Sequence, residues 1–204
     1  MSKTNNVRVV IAHYNEDLSW VNNLNYPFYV ISKHSLPLET IPNKGNEVSS
    51  YLEYIIKNYH ELADVTFFVH GHRTAWHNGP NIDEFINEVD FNVEYFNINS
   101  IHSPRSSMDL AGLGEAERAY LDPHKEIIEK EINIKIDSTE IKFRAAACFY
   151  VKKEAILKHD LSVYKNWYAW LMDMKEPSGI SSRVFEYCWH IIFTGKHIDN
   201  YLNF

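Results

Sequence analysis

Three histidines and an arginine stand close together just after an apolar run of the sequence. The run Phe67–Val69 is followed by His70, His72, Arg73 and His77. Alternate side chains of an extended segment point the same way, so His70 and His72 can converge on one ligand. Imidazole binds zinc, iron and nickel ions. The spacing therefore predicts a ligand site, with or without a metal ion. The alternative is a polar loop in which these histidines bond only to backbone.

A second polar segment, His13–Asp17, follows another apolar run. The ring of Tyr14 can stack on a nucleobase, and the carboxylate of Glu16 or Asp17 can accept hydrogen bonds from a ribose or a base. The ordinary alternative is a strand-to-helix connection in which Asp17 caps the helix that follows. His13, Tyr14 and Asp17 are the nucleotide-binding candidates of this segment.

The turn Pro42–Gly45 precedes a segment in which apolar residues have helical spacing. Lys44 supplies a positive charge, and Gly45 lets the backbone come close to a ligand. The amino terminus of the following helix attracts phosphate through its free N–H groups. Lys44 and Gly45 are therefore candidates for binding a diphosphate. The same turn also suits a plain helix start.

Farther along the chain, Arg183, Glu186 and His190 are spaced three and four residues apart. On a single closing helix, with Ser181 or Ser182 as its N-cap, they would share one face. A glutamate flanked by an arginine and a histidine can serve as a general base with a shifted pKa. Glu186 is therefore predicted to be catalytic, with His190 as its orienting partner or as a metal ligand. The alternative is a solvated surface stripe.

The elements that must position these groups alternate between strand and helix. Apolar residues predict strands at 7–12, 27–34 and 64–69, with a helix after Gly45 between the second and the third. Such alternation is typical of an α/β sheet, whose ligands bind beyond the carboxyl ends of the strands. Further helices are predicted at 81–90, 115–120, 124–132, 161–174 and 181–193, and a strand followed by a helix at 140–159.

Length and composition fit one globular domain over residues 1–204. Apolar residues make up 45% of the chain and the formal net charge is −7, which argues against nucleic acid as the main partner. Cys148 and Cys188 each stand in an apolar run, so buried, reduced thiols are expected. The polar start and the lack of an apolar run of about 18 residues predict a cytoplasmic protein without a secretion signal or transmembrane segment.

The order of elements resembles the nucleotide-binding half of a GT-A glycosyltransferase. The likeness is carried by a strand ending in a loop, an Asn-Lys-Gly turn before a helix, and an apolar strand ending in a polar triplet. In that fold the triplet is usually Asp-x-Asp and holds a divalent ion on the diphosphate of the sugar nucleotide. In this chain it is His70-Gly71-His72.

More closely, the chain resembles the family designated domain of unknown function three-four-three-one. The matching segments extend from about Val7 to Phe193. They are NEDLSW, PNKGNEVSSYLEYII, DVTFFVHGHRTAWHN, ACFYVKKEAI and RVFEYCWHIIF. The most specific of them is the run His-x-His-Arg-x-x-Trp-His-Asn.

These resemblances imply a single-domain, three-layer α/β/α fold with a mostly parallel mixed sheet. They imply transfer of a sugar from a nucleotide-sugar donor, such as a UDP-sugar, to a hydroxyl group of a glycan or other acceptor. Glu186 would deprotonate that hydroxyl. Charge on the leaving diphosphate must be stabilised, either directly by His70, His72 and Arg73 or through Mn²⁺ or Mg²⁺. The metal ligands would be His70, His72 and His190, and the donor-binding residues His13, Tyr14, Asp17, Lys44, Gly45, His70 and His72.

Two other functions remain open on the sequence. One is a metal-dependent hydrolase, with His70, His72 and either His77 or His190 around the ion and Glu186 activating water. The other is a non-catalytic carbohydrate-binding domain. Both enzyme hypotheses require that the end of the third predicted strand and the inner side of the closing helix face a common cleft.

Overall fold

The computed structural model describes residues 6–34, 39–74, 81–98, 113–142 and 147–198. Within these ranges the chain forms one mixed sheet flanked by helices, with strand order β3-β2-β1-β4-β6-β5. Strand β6 is antiparallel to both of its neighbours, and the pairings of β1 with β2, β1 with β4 and β2 with β3 are parallel. The strands are β1 Val7–His13, β2 Phe28–Ser32, β3 Glu39–Thr40, β4 Val65–His70, β5 Tyr95–Asn97 and β6 Phe149–Lys152.

The helices lie on both faces of this sheet. A 3₁₀ helix, Ser19–Asn23, follows β1, and the α-helices are α1 Asn46–Asn58, α2 Ile82–Glu88, α3 Glu115–Leu121, α4 Glu126–Ile132, α5 Lys153–Ile156, α6 Leu161–Asp173, α7 Ser178–Glu186 and α8 Trp189–Thr194. Alternate strand residues face opposite sides. Val10 and Phe68 therefore join the core beneath α1, α6 and α7. Val9 and Phe67 join a second core beneath the 3₁₀ helix and α2. These sides are called the α1 face and the α2 face.

Two residues with positive φ form the turn at the start of α1. Gly45 and Asn46 both have positive φ, of 68° and 45°, a region that glycine enters without steric cost and asparagine tolerates. The helix then buries Val48, Leu52 and Ile55 completely or almost so. The predicted helix after Gly45 is therefore confirmed, as are the strands at β1, β2 and β4.

The closing segment differs from the single helix that its spacing predicts. Helix α7 ends at Glu186, a turn at 187–188 follows, and α8 begins at Trp189. The N-cap prediction was also wrong, because Pro177 precedes α7 and Ser181 and Ser182 lie inside it. Glu186 and His190 therefore belong to different helices, and helical spacing does not place them on one face.

The expectation for the two cysteines is confirmed. Cys148 and Cys188 are both free and buried. In the part of the chain that the structure describes, none of the helices has the length and apolar character needed to cross a membrane.

Candidate functional site

The carboxyl ends of β1, β2 and β4 lie side by side. His13 is opposite Ser32, and Ala12 is opposite His70. The polar segments that follow these strands therefore leave the sheet together, at the position where open α/β sheets bind ligands. We call the three segments 13–17, 32–34 and 70–72 the carboxyl edge.

Glu16 connects the segment after β1 with the end of β4. Its carboxylate accepts hydrogen bonds from the backbone N–H groups of Tyr14, at 2.7 Å, and Asn15, at 3.2 Å. One carboxylate oxygen lies 3.7 Å from Nε2 of His72. Burial disfavours the charged form of Glu16, but hydrogen bonds from the backbone N–H groups of Tyr14 and of Glu16 itself, together with the nearby His72 and His13 rings, outweigh it and hold its pKa below the ordinary value. The group is therefore an anion beside an exposed imidazole.

Gly71 is the residue that lets these two segments meet. A Cβ placed on Gly71 would lie 2.7 Å from a carboxylate oxygen of Glu16 and 3.1 Å from its Cβ. The indole Nε1–H of buried Trp20 donates to the Gly71 carbonyl at 2.8 Å. The 3₁₀ helix thus fixes the end of β4 from one side while Glu16 packs against it from another.

His13 joins the ends of β1 and β2. Its Nδ1 lies 3.0 Å from Ser32 Oγ, and its Nε2 lies 3.2 Å from the carbonyl oxygen of Glu16. Next to it the ring of Tyr14 is 44% exposed and meets the ring of His34 edge-on, with centroids 5.6 Å apart. An exposed aromatic pair therefore stands just beyond the ends of these two strands.

Lys33 links the carboxyl edge to the start of α1. Its ammonium donates to the carbonyls of Lys44, at 2.7 Å, and Asn46, and to Ser49 Oγ at 2.6 Å. Burial lowers the pKa of Lys33 to about 8, against the opposing effect of the nearby Glu47 carboxylate. The same lysine therefore holds the turn before α1 and partly balances the charge of Glu47.

Helix α7 presents a polar face to this turn. The Gly45 N–H donates to Ser178 Oγ at 3.0 Å, and the Asn46 amide donates to Ser182 Oγ at 3.0 Å. Residue 186 is four positions farther along the same helix, so it continues that face. Glu186 is consequently carried to the side of α7 that meets the start of α1.

The electrostatic surroundings of Glu186 favour its protonated form. Burial raises its pKa to about 7, the negative charge of Glu47 adds to the effect, and Arg183 opposes it. Burial also raises the pKa of Glu47. Arg183 itself lies over the ring of Tyr120, 4.7 Å from its centroid. Glu186 is thus a carboxyl group that gains and loses a proton near neutral pH.

His70 lies on the same face of the sheet as Glu186. It alternates with Phe68 along β4, and Phe68 belongs to the core that also contains Val184 and Phe185 of α7. The His70 ring centroid is 5.5 Å from that of His72. His70 and Glu186 are therefore not on opposite faces of the sheet.

His190 is directed elsewhere. Its Nε2 lies 3.1 Å from the carbonyl oxygen of His197, in the turn after α8. Burial lowers its pKa to about 4, so the ring is neutral at pH 7. His190 thus contacts the segment after α8, the break at 187–188 separates it from the helix that carries Glu186, and its role as orienting partner of Glu186 stays a prediction.

Arg73 is engaged in a structural ion pair. Its Nε and one terminal nitrogen each donate to a different carboxylate oxygen of buried Asp83, both at 2.9 Å. Asn23 donates to the same carboxylate at 2.9 Å. Bidentate pairs of this kind fix the guanidinium geometrically. Arg73 therefore ties the segment after β4 to α2 and to the 3₁₀ helix.

Three further predicted ligands have local partners. Lys44 donates its ammonium to the carbonyl of Met172 near the end of α6. Gly45 packs against Leu171, whose side chain would lie 3.1 Å from an added Cβ. Asp17 accepts from the backbone N–H and the hydroxyl of Ser19, both at 2.8 Å. The Asp17 carboxylate thus bonds to the first residue of the 3₁₀ helix, whose N-cap position is Leu18, while Glu16 is the carboxylate that faces the end of β4.

Metal ligation was predicted for His70, His72 and His190. Among the residues that the structure describes, no group of three or more His, Cys, Asp or Glu side chains is placed to hold an ion. His77 lies outside the described residues. The predicted ligands that lie close together are His70 and His72, whose ring centroids are 5.5 Å apart.

Lys33 and Glu47 are site residues that sequence reasoning did not single out. Lys33 stands near the end of a predicted strand and directly after the observed β2, and Glu47 stands in the first turn of a predicted helix. The position at the carboxyl end of a strand is the signal that could have indicated Lys33. The altered pKa values of both groups come from burial in the folded chain, which is not visible in local sequence.

Comparison with known proteins identifies a family. The model described as "Protein of unknown function (DUF3431)" matches residues 9–201. No curated protein and no solved structure matches the chain.

Proposed function

The chain belongs to the DUF3431 family of proteins of unknown function, and we propose that it is a glycosyltransferase that uses a nucleotide-sugar donor and a hydroxyl acceptor. The observation that carries this proposal is Glu186. It is a half-buried carboxyl group whose pKa is raised by burial to about 7, on the side of α7 that meets the start of α1. Titratable groups shifted by burial and a specific neighbouring charge are common at active sites.

Glu186 supplies the base that such a transfer needs. Its carboxylate takes the proton of the acceptor hydroxyl as the acceptor oxygen bonds to the anomeric carbon of the donor. The bond between that carbon and the phosphate oxygen breaks, and its electron pair leaves with the nucleoside diphosphate. A pKa near the working pH suits general-base catalysis. Glu47 contributes by raising that pKa, which makes the Glu186 carboxylate a stronger base toward the acceptor hydroxyl.

The carboxyl edge is the donor side of this proposal. Tyr14 and His34 are exposed and in edge-on contact, and the Tyr14 ring offers a face on which a nucleobase can stack. His72 is 61% exposed beside Glu16, where it can donate a hydrogen bond to a phosphate oxygen. The mostly parallel mixed sheet, with its polar segments at the carboxyl ends, is compatible with the GT-A-like organisation inferred from the order of elements.

A divalent ion would add charge stabilisation to the leaving diphosphate. Such an ion would be held mainly by the diphosphate itself, with His70 and His72 as the described side chains nearest to each other at this edge. The proton transfer at Glu186 does not depend on that ion.

Thermal unfolding with ligands tests the proposal. UDP-sugars and GDP-sugars, each with and without Mn²⁺ or Mg²⁺, are expected to raise the unfolding midpoint, because a ligand that binds only the folded state stabilises it. If Zn²⁺ alone raises the unfolding midpoint and no nucleotide-sugar does, the result would instead favour the metal-dependent hydrolase. No response to either class would contradict both enzyme hypotheses.

A further inference from the structure

A second concave surface adjoins α6 and α7, away from the carboxyl edge. It is a cavity of about 690 Å³ whose lining includes His124, Trp170, Asp173, Lys175 and Glu176. This volume is in the range of small-molecule sites, roughly 300–1,000 Å³. Lys33 of the carboxyl edge donates to the carbonyl of Lys44, and the Lys44 ammonium donates to the carbonyl of Met172, which directly precedes the segment 173–177.

Trp170 forms part of the wall of this cavity, and its ring contacts Phe185, the residue before Glu186. The rings of Trp170 and Phe185 have centroids 6.0 Å apart. On another side, His124 meets Trp170 with centroids 6.0 Å apart and planes at 61°. Trp170 is half-buried, so part of its indole surface remains available to a ligand. A molecule held against Trp170 therefore lies next to the helix that carries the proposed base.

The charged groups around Trp170 occur in opposite pairs. A Glu176 carboxylate oxygen lies 3.8 Å from Nε2 of His124, and an Asp173 oxygen lies 3.9 Å from Nζ of Lys175. Each carboxylate thus has a basic group beside it. This arrangement offers hydrogen-bond acceptors and donors together.

We propose that this cavity binds a neutral saccharide, which is the acceptor of the transfer. The apolar face of a sugar ring packs against Trp170, and its hydroxyl groups hydrogen-bond to Glu176, Asp173 and His124. The saccharide site itself is argued from the cavity. Its role as acceptor site rests on the proposed function, because only a transferase requires a second sugar near Glu186.

Saturation-transfer NMR with free saccharides tests the site without any donor. A panel of neutral disaccharides (maltose, cellobiose, lactose and chitobiose) is expected to show binding that the Trp170→Ala variant weakens at least tenfold. Trp170→Phe should retain part of the affinity, because an aromatic ring remains. Phe28→Ala is the matched control, since Phe28 is an exposed aromatic residue on β2, outside the cavity lining. Its affinity should equal that of the unmodified protein.

The outcomes separate this inference from the proposed function. Absence of saccharide binding, or binding that Trp170→Ala leaves unchanged, overturns the inference, and a donor-dependent rise in unfolding midpoint would still support the transferase. Trp170-dependent saccharide binding without any donor response supports the cavity as a carbohydrate site and contradicts the transferase. Trp170-dependent binding of choline, with no saccharide bound, overturns the inference in favour of a cation site.

Discussion

The surroundings of the Glu186 carboxyl group lower the stability of the fold, and the same surroundings are proposed to serve catalysis. The carboxyl group is largely removed from water near the Glu47 carboxylate, and its pKa rises to about 7. Charging it at higher pH is therefore unfavourable in the folded state and not in the unfolded chain. Groups kept in such surroundings often serve function at the expense of stability.

The pH dependence of stability should reveal this cost. The folded state binds the Glu186 proton more tightly than the unfolded chain, so this group's contribution to stability is greatest below about pH 4.5. That contribution falls as pH rises to about 7. The difference corresponds to roughly 3 kcal/mol at most. Glu186→Gln should accordingly stabilise the protein at pH 8 and have little effect at pH 4, as measured by urea unfolding across pH.

The titration of His190 changes the stability of the fold in the opposite direction over an overlapping pH range. Its pKa is lowered to about 4 by burial, so its contribution is present above about pH 6.5 and is lost as pH falls through 4. The variant must therefore be compared with the unmodified protein at each pH. Glu154→Gln, at an exposed position on α5, is the control. An equal effect of both variants at pH 8 would contradict the unfavourable burial of Glu186.

Neighbouring elements explain why some site residues were found from sequence and others were not. Glu186, His70 and His72 were proposed because local spacing and residue type indicate chemistry. Lys33 and Glu47 were missed because their properties arise from packing between the end of β2, the start of α1 and α7. Such packing joins residues distant in sequence, and no local pattern records it.

Strong periodicity predicted the long elements correctly. The apolar runs of β1 and β4 and the helical spacing of α1 are local signals that tertiary packing reinforces. Strands β3 and β5 have only two and three residues, and such short strands depend on pairing with neighbours. The break at 187–188 was missed because the pattern from Arg183 to His190 is compatible with one helix.

The contact between the segment after β1 and the end of β4 can be tested with one methyl group. Gly71→Ala would place a Cβ 2.7 Å from the Glu16 carboxylate and displace it from His72. We expect at least a tenfold loss of affinity for the nucleotide-sugar that gives the largest rise in unfolding midpoint, measured by calorimetry. The matched control is Gly179→Ala, because nothing lies within 4 Å of a Cβ at that position. Equal affinities of the two variants for the nucleotide-sugar would show that the Glu16–His72 contact does not contribute to donor binding.

At the scale of the whole molecule, parallel strand topology brings the site together. The polar segments after β1, β2 and β4 meet at one edge, and α1 and α7 place Glu47 and Glu186 on the adjoining face. The sequence could predict that strand ends would meet, because this follows from alternating strands and helices. It could not predict the Trp170 cavity, since that surface is formed by the end of α6, the segment before α7 and the turn before α4.

The central claim is that Glu186 is the base in an acceptor-dependent cleavage of a nucleotide-sugar. The decisive measurement is release of nucleoside diphosphate, with mass spectrometry of the product, from UDP-sugars and GDP-sugars incubated with saccharide acceptors. We predict release that requires an acceptor and that Glu186→Gln reduces at least ~100-fold, while the donor still raises the unfolding midpoint of the variant. Turnover by Glu186→Gln equal to that of the unmodified protein, or no product with any donor, would contradict the account.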